Sequence, residues 1–168
     1  MKRTLFRLLF FCCLLAFPAI AANGQSIPRV NISDPAGKIV PTASLIDHKT
    51  PFVLSFWMTT CKPCMNELTN LSDEIGDWDA GFPLRIYAVS IDDSRSLQRA
   101  IALFRGSGWD GIVPLFDTKG NLRRALNVSG VPHVFVYDKE GKLSYTHIGY
   151  RPGEEIELLE QVRKLGSE

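Results

Sequence analysis

The chain has 168 residues, with 45% hydrophobic and 22% charged side chains, 19 basic against 18 acidic. That size and balance suit one globular domain. With a net charge of +1 and no block of like charge, nucleic acid and other polyanions are excluded as expected partners.

In chain order, the first expected element is a targeting segment. Lys2, Arg3 and Arg7 precede an almost wholly apolar run from Leu8 to Phe17, and Ala19-Ile20-Ala21 supplies the small residues a signal peptidase needs. Residues 1–21 are therefore read as a cleaved signal peptide, which places the mature protein outside the cytoplasm, as in a periplasm. The alternative is an uncleaved anchor, the one route to membrane contact. That run, ten residues from Leu8 to Phe17, falls short of the roughly 20 that span a bilayer. Cleavage removes Cys12 and Cys13 and leaves Cys61 and Cys64, in a compartment where disulfides persist. It also leaves 16 basic residues against 18 acidic, a mildly acidic domain.

Residues 22–28 are polar and small and read as a flexible lead-in to a folded domain over 29–168. Two short apolar stretches around Asp34-Pro35-Ala36-Gly37 predict a hairpin within 29–46. The unbroken apolar run 51–58 predicts a strand buried on both faces. Cys64, Leu68, Leu71, Ile75 and Trp78 recur at spacings of 4, 3, 4 and 3, so 62–78 predicts a helix with those residues on one face. A second buried strand follows at 84–91. Then comes a helix capped by Ser94, carrying Leu97, Ile101 and Phe104 and stopped by Gly106-Ser-Gly108. A strand at 112–116, a short helix at 121–126 and a hairpin of 134–137 with 143–148 complete the sheet. A closing helix, 154–165, is expected to turn Ile156, Leu159 and Val162 inward. The fold class is α/β with a mixed sheet flanked by helices.

The chemistry concentrates in Trp57-Met-Thr-Thr-Cys61-Lys-Pro-Cys64. Cys61 falls where strand gives way to helix, facing the positive end of the helix dipole and its unpaired N–H groups, and Lys62 adds a positive charge. Both favour a thiolate. Cys64 lies at the centre of the apolar face. A reachable thiolate beside a shielded thiol suits thiol–disulfide exchange, with Cys61 as nucleophile and Cys64 as the resolving thiol. Pro63 is tolerated in the first helical turn and stiffens the segment. Glu67, at the edge of the buried face one turn from Cys64, is a candidate acceptor of that thiol's proton; the same position also suits a solvated glutamate. Three other uses of the pair stand beside this one. Structural zinc normally needs four ligands, and the remaining chain has no second such pair, while His48, His133 and His147 are scattered. A copper-binding module would use Cys61, Cys64 and His133. A purely structural disulfide over so short a loop would remove little chain entropy. No cofactor is called for.

These residues together resemble the thioredoxin superfamily, and within it the TlpA/ResA-like extracytoplasmic thiol–disulfide oxidoreductases. The carriers are the strand Phe52 to Phe56 with Trp57, the pair Cys61-Lys-Pro-Cys64, Glu67, Val89-Ser-Ile-Asp92, Gly130-Val-Pro132 before the last hairpin, and Gly149 after it. The resemblance implies a thioredoxin-like fold with an N-terminal hairpin and a helix–strand insert over 94–117. It implies a cis Val131-Pro132 bond packed on the cysteines, with the backbone of Val131 pairing with substrate. It implies that Glu67 is the active-site acid, Ser55 standing where ordinary thioredoxins carry a buried aspartate. It implies protein disulfides as substrates, a membrane thiol donor as electron source, and work of the cytochrome c maturation type. Three departures stand out. Thr60 replaces the usual aromatic before the first cysteine and is a candidate helix cap. His133 replaces the usual threonine after the proline. Met58 stands where peroxiredoxins need a threonine, so peroxidase activity is not expected.

Overall fold

The computed structural model describes residues 24–76 and 83–166. The targeting segment and Trp78 lie outside the described residues. Among those described, no helix is long and apolar enough to cross a membrane.

Seven strands form one mixed sheet. They are β1 (Asn31–Ser33), β2 (Ile39–Pro41), β3 (Phe52–Trp57), β4 (Arg85–Ser90), β5 (Ile112–Phe116), β6 (His133–Tyr137) and β7 (Leu143–Ile148), in the order β2-β1-β5-β4-β3-β6-β7. A 3-10 helix, Thr42–Leu45, follows β2, and the α-helices are α1 (Lys62–Gly76), α2 (Leu97–Gly106), α3 (Asn121–Ala125) and α4 (Glu154–Gly166). β3 is central, parallel to β4 and antiparallel to β6, and each of its six residues is buried. The parallel pairs β3–β4 and β4–β5 require crossovers, and α1 and α2 supply them. Alternation along β3 divides the core in two. Val53 and Trp57 meet Leu68 and Leu71 of α1, Ala100 and Ile101 of α2, and Leu158, Leu159 and Val162 of α4. Phe52, Leu54 and Phe56 meet Leu45, Leu122 and Leu126 on the opposite face.

The expected elements are present, with three local corrections. The lead-in is docked rather than loose: Ser26 bridges Lys142, Leu143 N–H donates to the Gln25 carbonyl, and Ile27 N–H donates to the Gly141 carbonyl. Ile27 is buried in the second core, which offsets the entropy of ordering this polar stretch. α2 begins after Ser96, and its entry turn is held by Asp93, whose Oδ1 accepts the N–H groups of Arg95 and Ser96; Ser94 is not the cap. In α4 Ile156 is 51% exposed, while Leu158 takes the buried position beside Leu159 and Val162. The helix is rotated so that the buried stripe runs Glu155, Leu158, Leu159, Val162, which brings a carboxylate inward.

Ile27→Ala is expected to lower stability by about 2 kcal/mol. A fall in the denaturant midpoint with an unchanged slope checks this, whereas a loose lead-in would leave the midpoint where it is.

Candidate active site

β3 delivers the chain to the cysteines. Trp57 ends the strand fully buried, its ring edge-on to Trp109 at 5.3 Å between centroids and tilted against Phe104 at 6.4 Å. It anchors the insert to the core and does not form part of an exposed platform. The following turn is closed by Cys61 N–H on the Met58 carbonyl at 3.0 Å, and the Cys61 carbonyl accepts Met65 N–H at 3.2 Å. Cys61 is thus the residue flanking α1. Cys64 N–H, the third of the helix, donates to Cys61 Sγ at 3.2 Å. This is the N-cap bond that a Ser or Asp oxygen usually makes, and it falls to sulfur. Thr60, the residue expected as cap, is exposed. Lys62 and Pro63 are exposed in the first turn, Pro63 at a position whose missing N–H leaves the Cys64 N–H to the sulfur.

Cys61 and Cys64 form a disulfide with Cα atoms 5.3 Å apart. Cys61 keeps 9% of its surface and Cys64 none. The asymmetry has the expected sense, but Cys61 shows only an edge to solvent. Its Sγ is covered by the Val131 carbonyl oxygen at 3.7 Å. The Val131-Pro132 bond is cis, and the Pro132 carbonyl accepts Gly149 N–H at 2.8 Å, which ties the loop to the end of β7.

A second tie was not foreseen from sequence. Thr59 N–H and Thr59 Oγ donate to the two oxygens of Asp92 at 2.9 and 2.8 Å, and Ser90 Oγ donates to the same carboxylate at 2.9 Å. All three residues are buried. The end of β4 therefore fixes the turn that carries Cys61. The signal was the first of two aspartates just past an apolar strand, legible only once its partner Thr59 is known.

Glu67 lies one turn from Cys64 and is 3% exposed. Ser55, facing α1 from β3, donates its hydroxyl to Glu67 Oε1 at 2.6 Å. Burial pushes the Glu67 carboxyl up to about 7; the Ser55 bond opposes this, while the carboxylates of Glu154 and Glu155 add to it. Glu67 is thus a buried carboxyl group of raised proton affinity, one helical turn from a buried sulfur.

His133 does not join the pair. Alternation along β6 sends Val134 and Val136 to the α1 face and His133 to the other, where its ring stacks on Phe135 with centroids 4.2 Å apart. Thr146 Oγ donates to the Val134 carbonyl at 2.9 Å and so accepts from His133 Nε2 at 3.0 Å. Burial lowers the proton affinity of the ring, and His147 lowers it further. Among the described residues no group of three or more His, Cys, Asp or Glu side chains is gathered as a metal site. The donor set that the copper reading needs is not assembled.

A redox-type cysteine pair at the head of α1, facing a cis-proline loop on a thioredoxin-like sheet, defines a thiol–disulfide oxidoreductase of the thioredoxin class. The model of the AhpC/TSA family matches residues 23–146, and the chain belongs to that family. It is 27% identical over 139 residues to the thioredoxin-like protein YneN of Bacillus subtilis, covering 80% of this chain and 76% of that one. It is 28% identical over 134 residues to the thiol:disulfide interchange protein DsbE of Escherichia coli, covering 77% of this chain and 66% of that one. The solution structure of a thioredoxin-like protein from Porphyromonas gingivalis superposes with a TM-score of 0.73 at 39% identity, covering 84% of this chain and 92% of that one.

The Glu67 geometry has a consequence for stability. The folded group, at about 7, holds its proton more tightly than the unfolded group at 4.5. The native state therefore binds more protons between those values, and stability falls as pH rises from about 4.5 to 7, then levels off. The loss is on the order of 3 kcal/mol. Denaturant titrations of the oxidised protein from pH 4 to 8 should show this decline, and Glu67→Gln should remove most of it.

Proposed function

We propose that the chain is a reductant of protein disulfides outside the cytoplasm, with Cys61 as nucleophile, Cys64 as resolving thiol and Glu67 as acceptor of the Cys64 proton. The observation that carries this reading is the unequal placement of the two sulfurs. One caps the helix and shows an edge to solvent; the other is enclosed beside a carboxyl group of raised proton affinity.

In the reduced protein the Cys61 thiolate is stabilised by the Cys64 N–H and the positive end of α1. It attacks one sulfur of the substrate disulfide, forming a mixed disulfide and expelling the other as thiolate. Cys64 passes its proton to Glu67 and attacks Cys61 Sγ. The second substrate thiolate leaves, and Cys61–Cys64 remains as the disulfide present in the structure. The substrate gains two electrons and the chain loses two. A membrane thiol donor restores the dithiol. Pro132 and the Val131 backbone border Cys61 and form the rim on which an extended substrate segment rests. The basic and apolar character of 1–21 supports export or anchoring there, and the DsbE relatives support disulfide interchange as the reaction; cytochrome c maturation as the type of work rests on the resemblance to the TlpA/ResA-like group.

Cys61→Ser is expected to abolish reduction of a protein disulfide while leaving the fold intact by circular dichroism. Cys64→Ala is expected to accumulate mixed disulfides, visible on non-reducing gels and lost with dithiothreitol. Glu67→Gln should slow resolution of the mixed disulfide by about 10²-fold or more at neutral pH. Wild-type activity in Cys61→Ser would end the reading.

A further inference from the structure

Glu67 is not alone in its surroundings. A narrow cavity of about 10 Å³, room for a single water, lies between α1, the β6–β7 hairpin and α4, and Glu67, Tyr145, His147, Tyr150, Glu154 and Glu155 line it. Three carboxyl groups therefore share one small, partly enclosed space. They are not equally provided for. Glu155 accepts Tyr150 OH at 2.7 Å and Gly153 N–H at 2.9 Å. Tyr150 is itself held by Asn70 of α1. Glu154 accepts Arg151 N–H at 2.7 Å and Arg151 Nε at 3.0 Å, and His147 Nε2 lies 3.3 Å from it. Both also sit in the first turn of α4, where the helix dipole favours negative charge. Glu67, in the interior of α1, has a single donor in Ser55 and the least exposure. When like charges compete for one site, the group with the fewest donors gives way and keeps its proton.

We propose that Glu154 and Glu155 are positioning residues for disulfide exchange, acting on Glu67 across the shared cavity as fixed negative charges that make it the stronger base. The inference rests on the reading of Glu67 as the proton acceptor for Cys64 and adds what equips it for that step. A carboxylate with only burial and Ser55 around it would be a weaker base for a buried thiol. The two α4 carboxylates strengthen it without touching the sulfurs. The groups facing Glu67 are Ser55 from β3, Tyr145 and His147 from β7, Tyr150 from the loop before α4, and the two glutamates; a protonated His147 offsets part of the Glu154 charge. The rotation of α4, which buries Glu155 and exposes Ile156, brings the Glu155 carboxylate to this cavity.

The test follows the Glu67 side-chain carboxyl by carbon-13 NMR from pH 5 to 9 in the full chain. The variants are Glu154→Gln, Glu155→Gln, the double variant and Glu155→Asp, with the signal assigned by its loss in Glu67→Gln. Each Gln substitution should lower the Glu67 midpoint by about half a pH unit, the double variant by more, and Glu155→Asp, which keeps the charge, by little. The pH dependence of mixed-disulfide resolution should move down in step. An unmoved midpoint in both single variants overturns the proposal, whatever becomes of the double variant's folding. A midpoint that moves while the rate profile stays fixed overturns the acceptor role of Glu67 and leaves the charge coupling standing.

Discussion

The hydrogen bond from Cys64 N–H to Cys61 Sγ is the interaction on which the rest of the site depends. A helix start leaves N–H groups without intrahelical partners, and most helices meet that need with an oxygen from Ser, Thr, Asp or Asn. Here the sulfur of Cys61 occupies that role, so the stability of α1 and the reactivity of Cys61 draw on the same donor. Any partner that competes for the sulfur competes with a helix cap. The surroundings keep this arrangement in register. Pro63 brings no rival N–H, Asp92 holds Thr59 from the β4 side, and the Pro132 carbonyl is held by Gly149 from the β7 side. The pair is gripped from two strands that are distant from it in sequence.

The second constraint is that β3 has two different faces. Phe52, Leu54 and Phe56 are apolar and bury themselves in the second core, but the α1 face reads Val53, Ser55, Trp57. One hydroxyl in a fully buried strand needs a partner, and Glu67 is positioned to accept from it. A buried hydroxyl and a buried carboxyl would each be costly alone; together they cost less and keep a carboxyl group one helical turn from Cys64. A valine at 55 would make a smoother core and leave Glu67 without a donor. The polar residue in the central strand is matched to a polar partner on α1.

Much of this was legible in the chain. Burial of 51–58, the helix after Cys61, the two hairpins and the order of elements follow from apolar periodicity and turn residues, which are local signals. Placing Cys64 inward and Cys61 at the helix start follows from the same arithmetic. What was not legible depended on long-range pairing. Ile27 reads as part of a polar lead-in because its partner, Gly141, is more than a hundred residues away. Asp92 reads as a strand end until Thr59 is brought to it. His133 reads as a neighbour of the cysteines because it follows Pro132, yet the two-residue period of β6 carries its ring to the other face. The expected register of α4 differs from the observed one at Ile156 because three spaced apolar residues fit the helix period equally well at two rotations. The packing of Leu158 against α1 and the sheet decided between them.

The rotation of α4 links these points. Turning Ile156 outward leaves an exposed aliphatic side chain, which gains nothing in stability. Turning Glu155 inward buries a carboxylate, which costs free energy unless donors meet it. Tyr150, Gly153 and the helix start meet it. The opposite rotation would put Ile156 against the sheet and Leu158 and Glu155 in water, one aliphatic side chain exchanged for another. The rotation adopted instead completes a polar cavity whose innermost member is Glu67. Two buried acids facing each other from α1 and α4 are a poor way to hold two helices together and a good way to keep one of them holding a proton. The same division of labour applies to the cysteines. A disulfide spanning so few residues constrains the unfolded chain little, so its worth lies in being opened and closed, and the fold around it is arranged for that exchange.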